Sequence, residues 1–270
     1  MPEGSRPSDS RPAARGVFSR PPISLALVGL VTLLTAATGA TLGALAWREK
    51  HAGSRALVDS AMTQAARMTA DHAAAFVRHA ESTVRLGPSL VARGLLDPND
   101  FRALGEYALG VLRATPQLAW VSYGDRADRF VGAWTDGSDQ FYVNRSFPRG
   151  GRIRLEEDRV LPDGRRERVR ESDDHRYRPH EQAFYRLAEA RRGVAWTEPY
   201  RFYDGGLGVT CAAPLLDGAG AARGVFTVDL SLDGLSRFVG ELHVSPRGRV
   251  FIATGDGRLV AAPSLSLIHI

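Results

Sequence analysis

Residues 208–232 read GVTCAAPLLDGAGAARGVFTVDLSL. Two runs, Gly208–Leu215 and Gly224–Leu230, are apolar and β-branched, and Asp217-Gly218-Ala219-Gly220 between them is turn chemistry. The pattern predicts adjacent antiparallel strands. In the second run Val225, Thr227 and Asp229 alternate with Phe226, Val228 and Leu230. A period of two sends the two sets to opposite faces of a sheet. Asp229 then reaches into a site, faces solvent, or caps the short helix expected over Leu232–Leu242. Cys211, the single cysteine, lies in the apolar pattern Val209–Leu216. It has no cysteine partner and no histidine at metal-ligand spacing, so it reads as a small buried hydrophobe.

The same texture extends upstream. Leu118–Tyr123, Arg129–Thr135 and Gln140–Phe147 are short runs rich in β-branched and aromatic residues, separated by Gly124-Asp125 and Asp136-Gly137. Arg152–Leu155 and Arg166–Arg170 flank Pro162-Asp163-Gly164 as a further hairpin. Glu181–Arg191 has helical composition and stops at Gly193, and Val194–Phe202 reads as a strand. Downstream, Arg249–Ala253 and Arg258–Ala262 form a hairpin around Gly255-Asp256-Gly257. Consecutive strands favour an antiparallel sheet, and the mixture with helices is an α+β pattern.

The N-terminal part is different. Ile23–Trp47 is a run of 25 residues without a charge, and roughly 20 apolar helical residues cross a bilayer. It exceeds the apolar core of about 7–15 residues found in a cleaved signal peptide. Arg6, Arg11, Arg15 and Arg20 precede it; Arg48, Lys50 and Arg55 follow. These flanks favour a cytoplasmic N-terminus only mildly. Residues 1–22, rich in Pro, Ser and Arg, lack the apolar content for a core. From Arg48 to about Leu96, Leu57, Ala61, Ala65, Met68, Ala75 and Phe76 recur at helical spacing, which predicts a long helix leaving the membrane. Asp97-Pro98-Asn99-Asp100 is a helix start. It predicts a helix over Phe101–Ala114, ending before Pro116.

Composition narrows the function. The net charge is +5, but the basic residues of 145–170 interleave with Glu156, Glu157, Asp158 and Glu167, without a stacking platform, which argues against nucleic-acid binding. There is no Gly-x-Ser-x-Gly elbow, His-Glu-x-x-His, phosphate-binding glycine loop or kinase signature. His175 and His180 near Asp173 and Asp174 match no metal-site spacing. No catalytic residues, metal or cofactor are expected for the chain.

Four blocks carry a family resemblance. They are Tyr177-Arg178-Pro179-His180-Glu181-Gln182-Ala183-Phe184-Tyr185, Trp196-Thr197-Glu198-Pro199-Tyr200, Gly208-Val209-Thr210-Cys211-Ala212-Ala213-Pro214, and Gly224 through Leu232. In this order and spacing the chain resembles the double Cache extracytoplasmic sensor domains of bacterial transmembrane receptors, over about residues 48–263. The resemblance implies an antiparallel PAS-like sheet and a pocket with aromatic walls and a few polar anchors. It assigns ligand contact to Tyr177, His180, Gln182, Phe184, Tyr185, Trp196, Tyr200, Tyr203, Asp204 and Asp229. In amino-acid-binding relatives an arginine two residues before the aromatic pair holds the ligand carboxylate, and an aspartate matching Asp229 holds the amine. Here Gln182 stands in place of that arginine and Phe184 in place of a tryptophan. Glutamine cannot form a bidentate charged clamp, so the resemblance implies another small organic ligand, unless Arg178 or His180 supplies the positive charge.

The expected organisation is a cytoplasmic tail (1–22), a transmembrane helix (23–47), a long signalling helix (48–96) and a membrane-distal Cache lobe (97–245). The start of a second, truncated lobe follows (246–264). Residues 265–270, LSLIHI, match one reading frame of a common transposase sequencing adapter and are expected to be an artefact. The function implied is a sensory receptor of the cell membrane, homodimeric through the long helix. Phe226–Phe238 looks most like Cache domains attached to nucleotide cyclases, PP2C-type phosphatases or histidine kinases. The competing readings are an anchored ectodomain that binds a protein partner, and an anchored hydrolase.

Overall fold

The computed structural model describes residues 23–203, 205–242, 248–253 and 255–263, with side chains of 23–31, 46 and 48–59 left aside. Asp204 and the adapter-like residues 265–270 lie outside the described residues. The chain forms two compact units, Met1–Ala61 and Met62–Ile270. Helix α1 is assigned over Ile23–Ala92. Its first part belongs to the first unit and includes the expected span. Among the described residues no helix is long and apolar enough to cross a membrane.

The second unit is α+β. After α1 come α2 (Phe101–Ala114), β1 (Trp120–Asp125), β2 (Phe130–Thr135), β3 (Phe141–Arg149), β4 (Arg152–Val160) and β5 (Arg166–His175). A three-residue 3-10 turn (Pro179–Glu181) leads to α3 (Ala183–Arg191), then β6 (Ala195–Trp196), β7 (Tyr200–Arg201), β8 (Leu207–Leu216), β9 (Ala222–Ser231) and α4 (Leu232–Glu241). β10 (Ile252–Ala253) and β11 (Leu259–Ala261) pair as a separate hairpin. The main sheet runs β5-β4-β3-β2-β1-β9-β8-β6, with β7 also on β8, and its pairings are antiparallel.

Local chemistry explains the elements. Asp100 caps α2, its carboxylate accepting from the Arg102 and Ala103 amides at 3.0 Å each, as the Asp97–Asp100 stretch predicts. Asp217 holds the β8–β9 turn by accepting from the Ala219 and Ala221 amides at 2.9 Å, and Gly220 closes it at φ +77°, where a Cβ would be strained. Two expectations shift. Val194–Phe202 is broken into β6 and β7, with Pro199 between them. The β4–β5 hairpin extends to Val160 and His175, lengthened by cross-strand ion pairs such as Arg154 with Asp173 at 2.7 Å.

The sheet has two unlike faces. Val121, Tyr123, Val131, Ala133, Val143, Phe226, Val228 and Leu230 point to one face, where they pack with Ala80 and Val84 of α1 and Leu104, Ala108 and Leu112 of α2. Burying such side chains is the main source of stability, about 1.5–3 kcal/mol each. Cys211 joins this core at 0% exposure; burial pushes its thiol up to about 12. α4 closes one end, Phe238 stacking on Phe76 at 4.8 Å. The other face is only partly covered, by α3 and the preceding turn. Gly124 permits this, since a Cβ there would sit 2.6 Å from Pro179. The uncovered part of that face forms the site.

Candidate ligand pocket

The strand register assembles the pocket floor. Asp229 of β9 pairs with Trp120 of β1, and Thr227 with Ser122. Gly132 of β2 then pairs with Asn144 of β3. With side chains alternating across a strand, Asp229, Thr227, Trp120, Ser122 and Asn144 share the open face. Above them lies a cavity of about 180 Å³. Phe130, His175, Tyr177, Gln182 and Phe184 line it together with Tyr200, Arg201, Phe202 and Tyr203. It suits a small organic molecule in being mostly aromatic with a few convergent polar groups.

The walls are braced. Tyr177 meets Phe130 edge-on at 5.2 Å and Tyr203 at 6.0 Å. Tyr200 packs edge-on against Phe202 at 5.2 Å, and its hydroxyl lies 2.7 Å from that of Thr210. Trp120 stacks on Trp134 at 5.5 Å, and Trp134 stacks on Tyr142 at 4.3 Å. Within the floor Ser122 and Thr227 share a hydrogen bond of 2.6 Å. The buried Glu157 carboxylate accepts from Trp134 Nε1 at 3.0 Å and Asn144 Nδ2 at 3.2 Å.

Two lining groups are shifted by their surroundings. Burial, helped by Tyr200 and Asp229, holds the Tyr177 hydroxyl well above the usual tyrosine range. Burial and the nearby Arg170 lower the His175 imidazole below its ordinary value, so it is uncharged at neutral pH. Arg201, exposed at the rim, donates from Nη1 to the Gly205 carbonyl at 2.8 Å.

Of the ten residues expected at the site, the cavity gathers Tyr177, Gln182, Phe184, Tyr200, Tyr203 and Asp229. Three stand elsewhere. His180 Nδ1 lies 2.7 Å from Asp128, which also binds Arg178 at 2.6 Å. Neither side chain therefore supplies the charge that Gln182 lacks. Tyr185 is buried beneath α3, its hydroxyl reaching the Ala222 carbonyl at 3.4 Å. Trp196 donates to Glu81 of α1 at 3.0 Å on the helix-covered side. Asp204 lies outside the described residues. Asp229 does not cap α4; Ser231 does, its hydroxyl accepting from the Gly234 amide at 3.0 Å.

No family model matches the sequence. Over 90 residues, 33% of this chain, it is 36% identical to methyl-accepting chemotaxis protein McpC of Bacillus subtilis. Over 92 residues it is 27% identical to methyl-accepting chemotaxis protein PscA of Pseudomonas syringae pv. tomato, covering 34% of this chain. The match spans only 14% and 15% of those relatives' lengths. Among solved structures, the chain is similar to the sensory domain of the Campylobacter jejuni chemoreceptor Tlp3 (CcmL) with isoleucine bound. The TM-score is 0.52 at 15% identity, over 77% of this chain and 71% of that one. The fold is that of a chemoreceptor sensory domain.

Several lining residues escape a reading from family blocks. Thr227 was legible, being two residues from Asp229 on the same strand face. Trp120, Ser122 and Asn144 become neighbours of Asp229 only through register across three strand pairings, which local patterns leave open. His175, Arg201 and Phe202 sit at strand ends, where orientation depends on the turn that follows. Among the described residues, no group of three or more His, Cys, Asp or Glu side chains is arranged to hold a metal ion.

Proposed function

We propose that this chain is the extracytoplasmic input of a membrane-bound signalling receptor, and that the aromatic cavity over Asp229 binds a small organic molecule. The observation that carries this reading is the cavity itself. It opens on the uncovered face of a chemoreceptor-type sheet, with aromatic walls from β1, β2, β7 and the segment before α3 around one carboxylate. Two curated relatives being methyl-accepting chemotaxis proteins supports a receptor role and favours a chemotaxis output. The cyclase, phosphatase or histidine kinase outputs implied by residues 226–238 draw no such support. The isoleucine of the Campylobacter domain makes amino-acid-sized molecules the first class to screen.

In this reading Ile23–Trp47 spans the membrane, the tail is cytoplasmic and residues from 48 onward are outside. Leu33, Leu34, Leu42, Leu45 and Trp47 are each more than half exposed, as lipid-facing side chains would be. Ligand binding shifts the balance between two arrangements of α1, and two copies pair along that helix.

A thermal-shift screen of the chain against amino acids, amines and carboxylates tests the proposal. A ligand at 100 times its dissociation constant stabilises by about 2.7 kcal/mol. One compound class should raise the melting temperature, and Asp229→Asn should abolish the rise. If no small molecule shifts the melt, the cavity is not a ligand site and the chain is a partner-binding ectodomain.

A further inference from the structure

We propose that Glu157, which lies outside the cavity, orients the Asn144 amide inside it, and that the floor there selects a ligand bringing an uncharged hydrogen-bond donor, a hydroxyl or a carboxamide. This rests on the cavity being the sensor's ligand site and names one group that the ligand carries.

Strand register sets the geometry. Thr227, Ser122, Gly132, Asn144 and Glu157 are successive cross-strand partners on β9, β1, β2, β3 and β4, so they form one row on the open face. Thr227, Ser122 and Asn144 line the cavity, and Glu157 stands just beyond it. Gly132, between Ser122 and Asn144, has no side chain to cover the amide. The row leaves little room for one, since an added Cβ would stand 2.7 Å from Cβ of Ser122.

Hydrogen-bond chemistry sets the direction of the amide. Glu157 is 9% exposed and Asn144 3%, so water does not arbitrate between them. A carboxylate only accepts, and an indole nitrogen only donates. Trp134 Nε1 holds Glu157 Oε2 at 3.0 Å, and Asn144 turns its Nδ2 to the same oxygen at 3.2 Å. The Asn144 Oδ1 is thereby directed back along the row, toward Gly132 and the cavity floor. Among the described residues it has no hydrogen-bond partner. A ligand that buries this oxygen without giving it a hydrogen leaves it unsatisfied, which is costly. Carboxylates and esters have no hydrogen to give. Hydroxyls and carboxamides do. Glu157 is thus a positioning residue, acting on the ligand through Asn144. The next cross-strand partner in the row is Arg170, whose charge offsets that of Glu157, so the donor needs no charge of its own.

The test is a ligand-observed NMR titration of the full 270-residue chain in detergent, with four probes on one carbon skeleton: isovaleramide, isoamyl alcohol, isovalerate and methyl isovalerate. The amide or the alcohol should bind about tenfold or more tighter than the carboxylate and the ester, and the tighter of the two tells which donor the site takes. In Glu157→Leu and in Asn144→Leu that preference should shrink to about twofold or less. Glu157→Gln should keep it, because Trp134 pins the glutamine oxygen where the carboxylate oxygen was. Trp134→Phe should keep it too, since Asn144 retains its acceptor; a merely structural role for Glu157 would weaken all four probes alike. A wild type that binds the ester or the carboxylate as tightly as the donors would overturn the proposal. So would a preference unchanged in Glu157→Leu or, should that variant not fold, one lost in Glu157→Gln. Binding of none of the four, while another compound of the wider screen binds, would overturn it and leave the sensor reading intact. No binding by any compound would overturn both.

Discussion

Gly87 of α1 packs directly against Phe226 of the sheet, and Gly87→Ala sets two effects of known size against each other. Helix propensity alone favours alanine over glycine by about 1 kcal/mol. An added Cβ at Gly87, however, would stand 2.4, 2.6 and 2.7 Å from three ring atoms of Phe226. That is about 1 Å inside the roughly 3.5 Å at which carbon atoms are at ease. Phe226 has nowhere to go: it is 2% exposed, with Tyr123 at 4.7 Å and Tyr107 edge-on at 6.1 Å. Overpacking of this kind costs about 1–3 kcal/mol, so the clash wins and the net loss is up to about 2 kcal/mol. At about 2–4 °C per kcal/mol for a unit of this size, the melting temperature should fall by up to about 8 °C. Gly110→Ala is the control, on the exposed side of α2 with nothing within 4 Å of the added carbon. It keeps only the propensity gain and should melt about 2–4 °C higher. Parallel thermal melts by circular dichroism read both. If Gly87→Ala melts at or above the wild type while Gly110→Ala behaves as expected, α1 does not rest on Phe226.

Other consequences are as concrete. Trp196→Phe removes the bond to Glu81, a hydrogen bond to a charged acceptor worth about 1.5–3 kcal/mol; denaturant unfolding should show that loss while ligand affinity stays within about twofold of wild type, because Trp196 is not in the cavity. The His175 imidazole is lowered in the folded state, so the unfolded chain takes up its proton first as pH falls. Stability should therefore be full above about pH 6.5 and decline below it, and His175→Gln should flatten that decline in melts from pH 8 to pH 5. Cys211, buried and with its thiol pushed up to about 12, should resist Ellman's reagent in the native protein and react once unfolded; rapid native labelling would contradict its place in the core.

The elements were readable wherever local chemistry sets them. Asp100 and the residues before it mark the start of α2 without reference to anything distant, and Asp217 and Gly220 do the same for the β8–β9 turn. Six of the ten expected site residues meet in one cavity because Asp229 follows from strand alternation in β9, while Tyr177, Gln182 and Phe184 flank the short helix and Tyr200 and Tyr203 flank β7. Arg178 and His180 show the limit. Both sit in the block that carries the family resemblance, yet both turn to Asp128, a turn residue at φ +58° roughly fifty positions earlier. No local pattern announces that partner. Asn144 shows it from the other side: its place beside Ser122 and Asp229 follows from pairing register, a property of the assembled sheet rather than of any one strand. Glu157 looked like one more charge in a solvated stretch, but Trp134 and Asn144 hold it below the surface.

The central claim is that the cavity over Asp229 binds a small molecule, and Trp120 in its floor offers a direct reading. Any compound that raises the melting temperature should be titrated into the chain while tryptophan fluorescence is followed. A saturable change at one site per chain is expected, lost in Asp229→Asn and preserved in Trp196→Phe. A compound that binds Asp229→Asn as tightly as the wild type would contradict it.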